Sequence, residues 1–438
     1  VNPRACCEVI VIGAGVAGLM AAAELVQAGR SVVLLEARDR IGGRVWTRRE
    51  PDLGVPIELG AEFIHGHAPV VRALLAQVGA TAITSSDSHC TLQEGTPHPR
   101  AGSFPQLLRA IRATDILSRQ DMSFDAFLDQ HLAGVLSAEE RQSARMMAEG
   151  FDAADTARAS ARAIVAEWSG DTLGSAPQSR PQGGYDTLLT ALALPLRGAR
   201  LQLQSTVHAI RWSKGSVEAA GESVGAAFAV HGSRAIITLP LGVLQQAEGA
   251  AGAVRFTPPL NSKSDALPGL ASGPVVKILL RFATPFWETL HAGRYRDVSF
   301  FHALDAPIRT FWTPAPARAP LLVAWAAGPR ALRVASHASH AQLVRTALAS
   351  LQALFGRDVD IAGELRGYYY HDWQEDPFAR GAYSYVAVGG SGARQALARP
   401  IDDTLFFAGE ATDTENEAGT VAGAVQSGVR AAREVLSS

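Results

Sequence analysis

At 438 residues the chain is long enough for two or three domains and a large buried core. Its 40 basic side chains face 42 acidic ones, a formal net charge of -2, so nothing in the balance points to nucleic acid or an anionic membrane surface as a partner. The cysteines are Cys6, Cys7 and Cys90; adjacent Cys6 and Cys7 cannot easily bridge each other, so no disulfide framework is expected and a reducing, cytoplasmic compartment fits.

The chain opens as strand, helix, strand over residues 8–37. An apolar run enters Gly13-Ala14-Gly15-Val16-Ala17-Gly18 and continues with helical spacing; a second apolar run ends in Leu34-Leu35-Glu36-Ala37-Arg38. Glycines at this spacing let backbone approach a pyrophosphate, and the following helix N-terminus offers N–H groups and the positive end of its dipole. A carboxylate at Glu36 is placed to accept hydrogen bonds from ribose hydroxyls. A dinucleotide site is therefore expected here. The apolar stretch from Val9 to Ala23 is too short to span a bilayer and no basic region precedes it, so it reads as neither membrane span nor signal peptide.

A double-glycine turn follows, Arg40-Ile41-Gly42-Gly43-Arg44, then a strand-like segment from Val55 to Gly60 that enters Ala61-Glu62-Phe63-Ile64-His65-Gly66. From about 103 to 168 apolar residues recur at helical spacing, which predicts several helices and no sheet. Arg180 to Tyr185 reads as a turn back into helix. Short strands are expected at 201–203, 207–212, 227–230 and 235–238, a β-meander crossing the first sheet. A second β-rich stretch runs from Val275 to about Trp325, with the alternation of a half-buried strand at Lys277 to Phe282; helical spacing resumes at 341–355. The last segment, Leu405 to Glu410 and Gly419-Thr420-Val421, leads into a helix over 422–436 and ends without a hydrophobic tail.

The double-glycine turn and the Gly409-Glu410 segment have no job in a minimal NAD domain. With them the chain resembles the flavin-containing amine oxidases, which include monoamine oxidase, polyamine oxidase and the lysine-specific histone demethylase, along nearly its whole length. The resemblance implies a soluble, bacterial member with non-covalent FAD. It implies an α/β fold: a Rossmann-like FAD-binding domain from 1–75, 180–260 and 384–438, and an α+β substrate-binding domain from 76–179 and 261–383, helical over 103–178. Phosphate neutralisation falls on Arg38 and Arg44, and a contact near the ribityl–pyrophosphate region falls on Glu410. Gly42, Gly43, Gly60, Ala61, Val207, Gly409 and Val421 are the further expected cofactor contacts.

The family's reaction removes a hydride from the carbon next to an amine nitrogen, giving an imine that hydrolyses, while dioxygen reoxidises the flavin and yields hydrogen peroxide. Lys277 is one of the chain's three lysines and lies on an apolar strand. The resemblance places it near flavin N5, where an ammonium orients a water and favours negative charge on the reduced ring. Trp373 and Tyr383 match aromatic residues at the ring, and with Thr420 complete the expected catalytic set. Glu62 and His65 lie in a polyamine-oxidase-like loop and are the expected substrate contacts. Ala382 stands where monoamine oxidase carries its flavin-tethering cysteine, and Thr420 where it has a second tyrosine. Tyr385 and Tyr368 to Tyr370 are expected to be strand residues without a direct role.

These readings imply a small-molecule amine, a polyamine or another primary or secondary amine, and dioxygen as partners. No nucleic acid, membrane or metal is expected, and the chain would act as monomer or homodimer. An L-amino-acid oxidase is the alternative, weakened because no arginine follows Leu59-Gly60-Ala61 to clamp a carboxylate. A protein demethylase shares the motifs but is expected to carry an inserted arm that is not evident here. A flavin-binding scaffold without turnover remains from a different class.

Overall fold

The computed structural model describes residues 5–98, 104–169, 177–303 and 305–438. Residues 103 and 170–176, inside the stretch expected to be helical, lie outside the described residues.

The first strand, β1 (Ala5–Ile12), runs into α1 (Val16–Gln27) and returns as β2 (Val32–Leu35). β1 and β2 pair in parallel, with Val9 opposite Val32 and Ile12 opposite Leu35. Alternate residues face opposite sides: Val9, Val11 and Leu34 join one core with α1, whereas Ile10, Ile12, Val33 and Leu35 join another with Val207, Ile210 and Phe407. Burial on both faces explains why these strands read as continuous apolar runs. The eight-stranded sheet also holds Arg200–Gln202 beside β2 and Leu405–Phe407 beside Ala226–Ile237, so both chain ends meet in it.

The meander differs from expectation in two ways. Residues 227–230 and 235–238 are parts of one continuous strand, Ala226–Ile237, and a strand not anticipated, Ser216–Ser223, pairs with its first half. The second half pairs in parallel with β1. Gly232, inside this strand, marks a close approach: a Cβ there would lie 2.9 Å from Ile10 Cγ1. The run at 201–203 joins β2 rather than the meander.

A second sheet has seven strands, in the order 365–370, 275–282, 321–327, 310–312, 300–303, 89–93 and 96–98. Val275–Phe282 is buried on both faces rather than half-buried. Val276, Ile278, Leu280 and Phe282 pack under the helix His340–Phe355, while Leu279 faces Leu53, Ile57 and Leu59. Lys277 shares this second face, so the strand carries its ammonium into the interior.

The helical layer comprises Phe104–Arg112, Ile116–Arg119, Phe124–His131, Ala138–Phe151 and Ala161–Ser169 around its own core of Phe124, Phe127, Leu128 and Trp168. A capping box, Ser137 with Glu140, starts the fourth of these helices. The C-terminal helix Val421–Ser437 lies against α1, where a Cβ on Gly428 would come 2.5 Å from the Ala17 carbonyl oxygen. No described helix is long and apolar enough to cross a membrane.

Candidate functional site

A cavity of 1590 Å³ runs between the two sheets and the helical layer. It exceeds the roughly 300–1,000 Å³ of an ordinary ligand pocket, leaving room for a long ligand and a second molecule beside it. Its wall takes in Gly13, Gly15, Val16 and Ala17 at one end and Trp373, Tyr383 and Thr420 at the other.

At the first end, Gly15 caps α1 without any side-chain hydrogen bond, and the first turn holds no acid. The helix therefore presents unoccupied N–H groups and a positive dipole end. A Cβ on Gly43 would come 3.2 Å from Gly15 Cα, so the two turns approach backbone to backbone. Gly13 and Gly42 have φ of 104° and 101°, which favour glycine. Gly18 does not line the cavity. A Cβ there would fall 1.9 Å from the Gly13 carbonyl oxygen, so it serves helix–strand packing.

Glu36 is 4% exposed at the end of β2 and borders the cavity with Ala37. Its oxygens accept from the N–H of Ala14 at 2.7 Å and of Arg38 at 2.9 Å. Arg38 in turn reaches Asp376 at 2.7 Å, which His371 also contacts at 2.7 Å. Burial opposes ionisation of Asp376, yet His371 and Arg38 hold its carboxyl well below the usual range. Arg44 pairs with Glu410 at 3.0 Å and also donates to the Ala382 carbonyl. Glu410 accepts from the N–H and hydroxyl of Ser384 at 3.2 and 2.7 Å. Against burial, Arg44, Arg394 and Ser384 keep it ionised. Val207, Gly409 and Val421 also line the cavity.

Gly60 and Ala61 lie on the cavity wall, and a Cβ on Gly60 would meet the Arg44 carbonyl oxygen at 1.8 Å. The Gly60 carbonyl accepts from Lys277 Nζ at 2.9 Å. Lys277, 4% exposed, also lies 2.8 Å from Glu62 Oε2. Glu62 differs from the lone anion expected from the sequence. Its Oε1 accepts from Arg180 Nε at 3.0 Å and from Trp312 Nε1 at 2.9 Å. Burial raises its carboxyl, but Lys277 and Arg180 outweigh that and hold it below its usual value. Two cations, Lys277 and Arg180, already lie against this charge.

Trp373 is 3% exposed, and its indole donates to the Leu59 carbonyl at 2.9 Å. The Tyr383 hydroxyl donates to the Phe151 carbonyl at 2.6 Å, fixing its ring across the cavity wall. Thr420 also lines the cavity, but its hydroxyl donates to the Glu417 carbonyl and accepts from the Gly423 N–H. It caps the C-terminal helix and offers the cavity space rather than a free hydroxyl. His65 faces the cavity beside Phe151, and burial pushes its imidazole down to about 4, leaving it neutral near pH 7. Tyr385, expected to have no direct role, reaches the cavity wall from Ser384–Val386.

Sequence reasoning missed Arg180, Trp312 and Asp376, whose partners lie far away in sequence, and the acids Asp152 and Glu167, which also line the cavity. The chain's own features fit a flavin dinucleotide: a glycine cradle at an uncapped helix N-terminus, a buried acid at the second strand's end and an arginine-balanced acid further along. No group of three or more potential metal ligands occurs among the described residues.

A family model described as flavin containing amine oxidoreductase matches residues 16–436. Curated relatives include lysine-specific histone demethylase 2 from Homo sapiens, 29% identical over 98% of this chain and 53% of its own length. Another is lysine-specific histone demethylase 1 homolog 3 from Oryza sativa subsp. indica, 31% identical over 98% of the chain and 54% of its own length. The chain thus spans about half the length of these relatives. Among solved structures, a putrescine oxidase bound to putrescine superposes with a TM-score of 0.79 at 21% identity, each chain covered in full. Cyclohexylamine oxidase from Brevibacterium oxydans IH-35A gives 0.78 at 21% identity, covering 98% of this chain and 99% of its own.

Proposed function

The chain belongs to the flavin containing amine oxidoreductase family, and from that premise we propose that it is an FAD-dependent oxidase of primary or secondary amines. The reaction gives an imine that hydrolyses to an aldehyde or ketone plus amine or ammonia. One observation carries the reading: a single cavity joins the glycine cradle and Glu36 to a wall of Trp373, Tyr383 and Thr420, with Lys277 between.

When bound, the flavin supplies a two-electron acceptor for a hydride leaving the carbon next to nitrogen, and dioxygen takes those electrons on to hydrogen peroxide. The chain's own residues do the rest. Arg44 and Glu410 tie the Gly43 turn to the C-terminal segment, so the two halves of the cofactor site are held together. Ala382 presents only a methyl group where a tether would stand, which favours non-covalent binding. Tyr383 and Trp373, each locked to a backbone carbonyl, form rigid apolar walls against which an amine sheds water and its proton. Lys277 holds a fixed positive charge in the interior, set by Glu62 and the Gly60 carbonyl.

Arg180, the arginine that reaches the Glu62 loop, is engaged by Glu62, Ser85, Thr313 and Ala315, so it supplies no clamp for a substrate carboxylate. This supports an amine over an α-amino acid. Proposed partners are the amine and dioxygen, and the proposed domain division follows the two sheets. Hydrogen peroxide formation with a panel of alkylamines, arylalkylamines, polyamines and L-amino acids tests the reading: peroxide from amines alone supports it, and peroxide from amino acids alone overturns it.

A further inference from the structure

Asp376 does not border the cavity, yet three residues that do, Arg38, Trp373 and Phe378, are tied to its carboxylate. It lies in the loop between the aromatic walls Trp373 and Tyr383, and its side chain is 6% exposed. The loop rolls around it. The Asp376 N–H donates to the Asp372 carbonyl at 3.0 Å, and the Asp376 carbonyl accepts from the N–H groups of Ala379 and Arg380 at 3.1 and 3.0 Å.

Oδ1 accepts from the Phe378 N–H at 2.8 Å. Oδ2 accepts twice, from Arg38 Nη2 and from His371 Nε2, each at 2.7 Å. A carboxylate is acceptor-only and takes all three; an amide in its place would aim a donor at two of them. On one side, Arg38 lies over the Phe378 ring at 5.5 Å, and its own N–H holds Glu36 Oε1 at 2.9 Å, so the strut ends at the acid placed for a ribose. On the other side, the His371 ring meets Trp373 edge-on with centroids 4.3 Å apart, and meets Trp46 at 5.0 Å. Trp46 lies 4.3 Å under the Arg40 guanidinium, which donates to the Gly43 carbonyl at 3.0 Å, so the same support reaches the double-glycine turn.

We propose that Asp376, together with His371, positions both ends of the cofactor site. One buried carboxylate sets Arg38, and with it Glu36, at the dinucleotide end; through His371 it sets the Trp373 wall at the other. Both act through the residues they hold. The inference needs a bound flavin dinucleotide but no particular amine, so it fails or survives separately from the choice of substrate.

The test follows release of FAD from the diluted holoprotein, read as the rise of free-FAD fluorescence, in wild type, Asp376→Asn, Arg38→Met and the double variant. Asp376→Asn should speed release by about tenfold or more, the scale of a charge-assisted hydrogen bond. Because the carboxylate works through Arg38, the double variant should release FAD more slowly than the product of the two single effects. His371→Gln keeps a donor for Asp376 but removes the ring beside Trp373, so it should alter the visible circular dichroism of the bound flavin; this arm decides even if Asp376→Asn does not fold. Unchanged release in Asp376→Asn, single effects that multiply in the double variant, or an unaltered flavin spectrum in His371→Gln would each overturn the proposal.

Discussion

The ammonium of Lys277 lies 2.8 Å from the carboxylate of Glu62, whose other oxygen lies 3.0 Å from Arg180. Three charges from three distant segments, with Lys277 buried and the other two half-buried, thus form one unit at the cavity wall. The acid fixes where the lysine points.

Glu62→Gln keeps an acceptor for the Trp312 indole but removes the carboxylate that pairs with buried Lys277 and half-buried Arg180. Breaking a buried pair in this way costs about 3–5 kcal/mol, so the variant should unfold at markedly lower denaturant concentration. Diamine and monoamine turnover should fall together. A selective loss of diamine turnover with unchanged stability would return Glu62 to direct substrate binding.

Lys277→Met should keep its flavin and slow one redox half-reaction by ~10²-fold, the lower end for removing an electrostatic stabiliser. Rapid mixing with amine, and then with dioxygen, separates the halves. Unchanged rates in both would make the lysine a structural partner of Glu62 only.

The flavin should come away as free FAD when the protein is precipitated by acid or heat, because Ala382 offers no nucleophile. Yellow colour retained in the washed precipitate would contradict this.

Glu58 gives a pH dependence of stability. It is 5% exposed and accepts from the Tyr185 N–H at 2.7 Å and the Thr47 hydroxyl at 2.8 Å, yet burial pushes its carboxyl from 4.5 up to about 7. The folded protein keeps a proton that the unfolded chain gives up earlier. Stability is therefore greatest below the unfolded value and falls as pH rises toward the folded one, by about 3 kcal/mol in all. Glu58→Gln should remove most of that fall. Denaturant titrations at about pH 5 and about pH 8 measure it, and equal losses in variant and wild type would refute the assignment.

The cofactor end was legible because its signal is local. Gly13, Gly15 and Glu36 lie within one βαβ unit and line the cavity, whereas Gly18, expected with them, packs helix on strand. Lys277 was legible through its rarity and its apolar neighbours. The partners of Glu62 were not legible, because Arg180 and Trp312 are 118 and 250 positions away and leave no local trace. The strand Ala226–Ile237 was split because residues 231–234 interrupt its apolar run.

The most direct measurement is anaerobic titration of the purified protein, following flavin absorbance. Diamines and polyamines should bleach the flavin rapidly, faster as rising pH frees the reacting nitrogen, while L-amino acids leave it oxidised. Rapid bleaching by an L-amino acid, with none by any amine, would contradict the account.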